Sequence, residues 1–127
     1  MAGTALPHEA EEFLLWLGVE RGRSTATLNA YRRDLGTFSR WLAERGTDIA
    51  SAQSSDLVDY LRSRQEAGLA PATVTRSMVA VRTMYRFLVA EELRDDDPTA
   101  FVELPRVPRG LPKALSEREV AALLASV

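Results

Sequence analysis

Apolar residues recur along this chain at steps of three and four, in four separate stretches. In the first, Ala10, Phe13, Leu14 and Leu17 make a stripe at helical spacing. Pro7 suits a first helical position, where its missing N–H is not needed. Glu9, Glu11 and Glu12 then sit near the positive end of the helix dipole. The predicted helix runs from about 7 to 20, with Gly18 and Gly22 ending it. In the second stretch Leu28, Tyr31, Leu35, Phe38 and Leu42 form one narrow buried face. Ser24 stands in front as an N-cap and Gly46 behind as a stop. A third helix starts at Ser54 or Ser55, turns Leu57, Val58 and Leu61 inward and ends at Gly68. A fourth opens at Pro71, carries Val74, Met78, Val81, Tyr85 and Leu88 at helical steps, and ends before the run RDDDP. No strand alternation and no internal repeat interrupts this pattern, so the fold class is all-α.

The segments after the fourth helix read differently. A turn around Pro98 to Phe101 is expected to tuck Phe101 against the bundle. LPRVPRGLP then holds three Pro and a Gly in nine residues, the composition of an extended linker. Beyond it Ser116 and Glu119 make a capping box ahead of Val120, Leu123 and Leu124. The expected organisation is a helical domain over 1–104, a basic Pro-rich linker over 105–115 and the first helix of a further, truncated domain over 116–127.

Charge alters this picture more than composition does. At 127 residues, 46% hydrophobic and 27% charged, the chain is ordinary for one globular domain. Its net charge of −2 hides a strong local separation. Residues 21–45 carry Arg21, Arg23, Arg32, Arg33, Arg40 and Arg45 against only Asp34 and Glu44. Residues 71–90 carry Arg76, Arg82 and Arg86 and no acid. The flanking segments, 1–20 and 91–104, are acidic. Positive charge gathered on two helices and a tail suits a polyanion met locally.

The residue types present exclude much other chemistry. There is no Cys and a single His, His8, so thiolate metal sites, disulfides and His clusters are ruled out. The seven Gly stand singly and form no phosphate loop. Asp95, Asp96 and Asp97 lack the Gly and Glu spacing of a calcium loop. No cofactor, metal or small-molecule substrate is expected. No apolar run approaches the ~18 residues of a membrane span, and the N-terminus lacks the pattern of a signal peptide, so a cytoplasmic protein is expected.

The candidate binding residues lie on the two basic helices and the tail. On the second helix Thr25, Asn29, Arg32, Arg33 and Arg40 face away from the apolar stripe, and Ser24 heads a helix N-terminus suited to a phosphate. On the fourth, Thr73, Thr75, Arg76, Ser77, Arg82 and Arg86 make the polar side. Arg there suits guanine edges, and Ser or Thr suits phosphates. Arg106, Arg109 and Lys113 would track a backbone along the linker. A solvated polar face accounts for each set as well, although an acid-free helix forgoes the i,i+4 ion pairs that such a face ordinarily uses. Tyr31 and Tyr85 fall on the apolar stripes and are expected in the core with their hydroxyls at its rim.

Taken together, three segments resemble the tyrosine site-specific recombinases of the phage integrase family, XerC/XerD type. VERGRSTATLNAYRRDLGTFSRWLAERG is similar to the family's opening, PATVTRSMVAVRTMYRFLVAEEL to its DNA-facing helix, and DDDPTAFVELPRVPRGLPKALSEREVAALL to its interdomain junction, nearer the XerD form. The resemblance implies a SAM-like core-binding bundle of four to five helices, two crossed helical hairpins. Its second and fourth helices would face the major groove of duplex DNA. It places Ser24, Thr25, Thr27, Arg32, Thr73, Arg76, Ser77 and Arg82 on those helices, although Thr27 lies off the clear polar face. The implied partners are duplex DNA and paralogous recombinase protomers in a tetramer; the first helix would meet a neighbouring protomer, and its acidic Glu9, Glu12 and Glu20 would fit such an interface or simply repel DNA. The implied role is chromosome dimer resolution. The family's catalytic residues belong to a C-terminal domain, and Tyr31, Tyr60 and Tyr85 match no nucleophile motif, so this chain is expected to bind DNA and cut nothing. A phage or transposon integrase domain, and a helical protein-interaction module with an acidic partner, are the other readings.

Overall fold

The computed structural model describes residues 6–104. Among them there are four helices and no strand: α1 (His8–Val19), α2 (Thr25–Glu44), α3 (Ser54–Glu66) and α4 (Pro71–Ala90). The predicted linker over 105–115 and the helix over 116–127 lie outside the described residues.

The helices form two hairpins, α1–α2 and α3–α4, and α2 packs on α4 more extensively than any other pair. The four apolar stripes close one core in which Phe13, Leu17, Leu35, Phe38, Leu42, Leu57 and Tyr85 are completely buried. Two aromatic groups tie the hairpins together. Phe13 of α1 meets Tyr31 of α2 at 5.9 Å and Phe87 of α4 at 5.7 Å. Phe38 of α2 meets Tyr60 of α3 at 4.9 Å and Tyr85 of α4 at 6.1 Å. Such pairs add to simple burial.

Helix ends follow the capping chemistry with small differences. Pro7 is the cap of α1 and not its first residue: its carbonyl accepts the N–H groups of Ala10 and Glu11. Gly18 lies inside α1, where a Cβ would come within 3.2 Å of Leu28 Cδ1. Its role is therefore to let α1 and α2 approach. Gly46, at φ +80°, closes α2 in the left-handed region that glycine enters at little cost. The cap of α3 is Gln53, one residue before the predicted start, and its backbone N–H donates to Asp56 Oδ2 at 2.9 Å.

Two inward assignments are corrected. Val58 is 42% exposed, and Tyr60 takes the buried place in α3. Phe101 is 89% exposed, and Thr99 and Val102 are buried instead. The cause is a local turn: Asp97 Oδ1 accepts both the backbone N–H and the hydroxyl of Thr99, and the Val102 N–H donates to the Thr99 carbonyl. That geometry points residue 102 inward and residue 101 out.

Candidate nucleic-acid interface

The start of α2 is built as expected. Ser24 is extended (φ −69°, ψ 159°), and its Oγ accepts the Thr27 N–H at 3.2 Å. The same hydroxyl donates to Thr27 Oγ1 at 3.0 Å. Thr25 is exposed, and the first turn holds no acid. The partial positive charge of this helix end is unopposed by its own first turn.

Further along α2 the two adjacent arginines diverge. Arg32 reaches back to α1, where Nη1 and Nη2 donate to Glu11 Oε2 and Oε1 at 2.9 and 3.1 Å. That forked bond is the main reason the Glu11 carboxyl is lowered and the Arg32 guanidinium raised from their ordinary values. Both side chains are 44% exposed, so solvent screening holds the pair to less than about 1 kcal/mol. Glu11→Gln should therefore change the urea-unfolding free energy by no more than that. The contribution is present above the ordinary carboxylate range and is lost as pH falls through the lowered Glu11 value. A loss above about 2 kcal/mol at neutral pH would show the pair to be structural. Arg33, by contrast, is exposed and lies near enough to Asp34 to act on its carboxyl.

Between the arginines of α2 and α4 lies a group with no place in the predicted site, Asp34. It is buried at 7% exposure. Its Oδ1 lies 3.5 Å from Arg76 Nη2 of α4, and its Oδ2 is buried without a hydrogen-bond partner. Burial pushes its carboxyl up, and Arg76 and then Arg33 pull it back. Tyr60 of α3 stands close enough to Asp34, Ser77 and Arg64 to respond to all three, and burial raises its phenol. The Tyr60 hydroxyl and Arg64 Nε are likewise buried without a well-aligned hydrogen bond. Helices α2, α3 and α4 thus meet around a polar cluster beneath the surface that Arg33 and Arg76 share. The spacing Tyr31, Asp34, Leu35, Phe38 is itself i, i+3, i+4, i+7, a signal that Asp34 belongs to the buried face.

The expected polar side of α4 is corrected. Arg76 is half-exposed and Arg86 exposed, but Ser77 is buried at 6% exposure beside Tyr60. Arg82 turns to the other flank. Its Nη2 donates to the Val102 carbonyl at 2.5 Å and the Thr99 carbonyl at 3.4 Å. Burial, with Arg86 adding to it, lowers its guanidinium from the ordinary value. Arg82 is a strut for the segment after α4. The physical reason is that α4 packs against α1, α2 and α3, which leaves it only a narrow free strip. Thr73 and Thr75 are partly buried beside that strip. Arg106, Arg109 and Lys113 lie outside the described residues. Among the described residues no group of three or more acidic or histidine side chains is placed to hold a metal ion.

The bundle and its paired basic helices define a class that comparison with known proteins makes explicit. The family described as phage integrase, N-terminal SAM-like domain matches residues 10–92, and the chain belongs to that family. Its relatives include the tyrosine recombinase XerD of Xanthomonas campestris pv. campestris, 43% identical over 116 residues that cover 91% of this chain and 36% of the relative. The tyrosine recombinase XerD of Yersinia pestis is 40% identical over 91% of this chain and 39% of its own length. That of Bradyrhizobium diazoefficiens is 43% identical over 88% and 35%. The chain therefore spans a little over a third of the length of the curated relatives it matches. No solved structure matches it.

Proposed function

We propose that this chain binds duplex DNA, laying α2 and the free strip of α4 toward the major groove. The observation that carries the reading is the side-by-side packing of α2 and α4. Arg33 and Arg76 both act on the one buried carboxylate between these helices, Asp34, and Arg76 belongs to a helix with three Arg and no acid. Ser24, Thr25 and Thr27 would offer the α2 N-terminus to a phosphate. Thr73 and Arg76 would face the groove at the start of α4. Arg82 would act by holding the exit of α4, and Ser77 by packing under Arg76. Arg106, Arg109 and Lys113 would extend the contact along a linker over 105–115, with 116–127 opening the next domain.

In a whole protein of the relatives' length, this part would position DNA for a downstream catalytic domain and contribute no catalytic residue. That protein would cleave and rejoin DNA strands through a tyrosine, exchange them with paralogous protomers and resolve chromosome dimers in the cytoplasm. Among the described residues no helix is long and apolar enough to cross a membrane, which agrees with that setting.

The test is a titration of the chain with a mixed-sequence duplex across a range of salt. Affinity should fall as salt rises. Arg33→Ala should reduce the slope by about one if Arg33 contacts phosphate. Arg76→Ala should cost about 1–3 kcal/mol if Arg76 reads a base. Binding that ignores salt, or equal binding to an acidic polypeptide, would overturn the reading in favour of a protein-interaction module.

A further inference from the structure

We propose that Asp34 is a built-in anion that competes with DNA for Arg76, so that the interface yields Arg76 only to a group that holds it better than the carboxylate does. This rests on the DNA-binding reading above.

Three observations carry it. The first is geometric: Asp34 Oδ1 stands 3.5 Å from Arg76 Nη2, within ion-pair range but without the forked hydrogen bonds that Arg32 makes to Glu11. Arg76 is held but not locked. The second is the poor state of the carboxylate. A buried acid with one oxygen unpartnered costs folding free energy, and the nearby Tyr60 hydroxyl and Arg64 Nε do not satisfy it. Burial raises the Asp34 carboxyl despite Arg76 and Arg33, the mark of a charge held where it is not comfortable. A purely structural residue at this apolar spacing would do better as a leucine or asparagine. Local rules broken in this way cluster at working sites. The third is asymmetry of exposure. Arg76 keeps half its side chain in solvent while Asp34 is buried. Loss of the carboxylate would therefore leave Arg76 hydrated and free, with no stranded buried cation.

The consequence is a filter. A duplex that offers Arg76 only a passing phosphate must overcome the carboxylate's hold, whereas a bidentate acceptor wins it. Asp34 acts through Arg76 and touches no DNA, so it is a positioning residue.

The test compares four forms of the chain: wild type, Asp34→Asn, Arg76→Ala and the double variant. Each is titrated with a mixed-sequence duplex at several salt concentrations, and its thermal midpoint is measured. Asp34→Asn should bind between about threefold and tenfold tighter than wild type, with a salt slope steeper by up to about one. Its midpoint should be no lower than that of wild type. In the Arg76→Ala background the gain should shrink to less than about twofold, because the two residues form one coupled pair. A gain that persists there would show simple charge repulsion and overturn the proposal, as would Asp34→Asn binding no tighter than wild type. Should Asp34→Asn fail to fold, Asp34→Ser carries the same comparison, and a lowered midpoint in both would mark Asp34 as structural. A wild-type chain with no salt-sensitive binding would sink the DNA reading itself, an outcome visible before any variant is compared.

Discussion

Replacing Phe38 by Ala should remove about 3–5 kcal/mol of unfolding free energy, the largest effect expected of any single truncation here. Phe38 is completely buried and stands where three helices meet. Its ring packs edge-on to Tyr60 of α3 at 4.9 Å and to Tyr85 of α4 at 6.1 Å. Truncation loses the transfer free energy of the ring and leaves a cavity that rigid aromatic neighbours on α3 and α4 cannot collapse to fill. It also removes two edge-to-face contacts worth about 0.5–1.5 kcal/mol each. A domain of this size holds about 5–15 kcal/mol in total, so the loss takes a large share of that stability and would bring a domain at the low end of the range close to unfolding. Phe38→Leu, which keeps much of the volume, should lose roughly half as much. Urea denaturation of the pair gives the measurement. A loss below about 2 kcal/mol for the alanine variant would mean that the α2–α3–α4 junction is not close-packed around this ring.

The periodic stripes made most of this fold readable. Leu28, Tyr31, Leu35, Phe38 and Leu42 needed only a 3.6-residue repeat to define α2, and Ser24 needed only its capping oxygen. Where reading from sequence went astray, the deciding contact lay far along the chain. Val58 and Tyr60 lie in a short helix with few apolar positions, so either registers as inward, and packing against Phe38 and Trp41 selects Tyr60. Phe101 is the larger apolar residue of its turn, but the Asp97–Thr99 hydrogen bonds fix the direction of the backbone and bury Val102 instead. The candidate interface was legible as charge and less so as geometry. Arg33 and Arg76 both lie near enough to Asp34 to act on its carboxyl. Ser77 is buried, because α4 is covered on three sides and its polar positions are partly internal, as Thr83 shows by donating to the Val79 carbonyl. Arg82 was legible as a cation on a basic helix, but the two carbonyls that hold it come from residues 17 and 20 positions downstream. Asp34 stood in the helical repeat of the buried face all along. Its charge, which suggests a surface residue, masked that spacing.

Arg94→Ala should cost about 2–4 kcal/mol, an unusually large loss for a charged residue outside any helix. The Arg94 side chain is only 9% exposed. Its Nη1 donates to the Ile49 carbonyl at 2.9 Å, its Nη2 donates to the Ala52 carbonyl, and its guanidinium lies 5.2 Å from the centre of the Tyr85 ring. The Tyr85 hydroxyl donates to the same Ile49 carbonyl at 2.8 Å. One cation therefore fastens the connection between α2 and α3 to the exit of α4, and so joins the two hairpins. Truncation strips the Ala52 carbonyl of its charged donor in a partly buried place, where hydrogen bonds to charged groups are worth about 1.5–3 kcal/mol each. The Ile49 carbonyl keeps Tyr85, so Tyr85→Phe alone should cost less, about 1 kcal/mol. Arg94→Lys should recover little. A single ammonium does not span two carbonyls as a planar fork does, nor lie flat on the ring. Hydrogen exchange separates this account from a general loss of stability. The amides of 47–52 should open faster in Arg94→Ala than those in the middle of α2, relative to their wild-type rates. Uniform acceleration across both segments, or a loss below about 1 kcal/mol, would show that the α2–α3 connection is held by its own turns and not by Arg94.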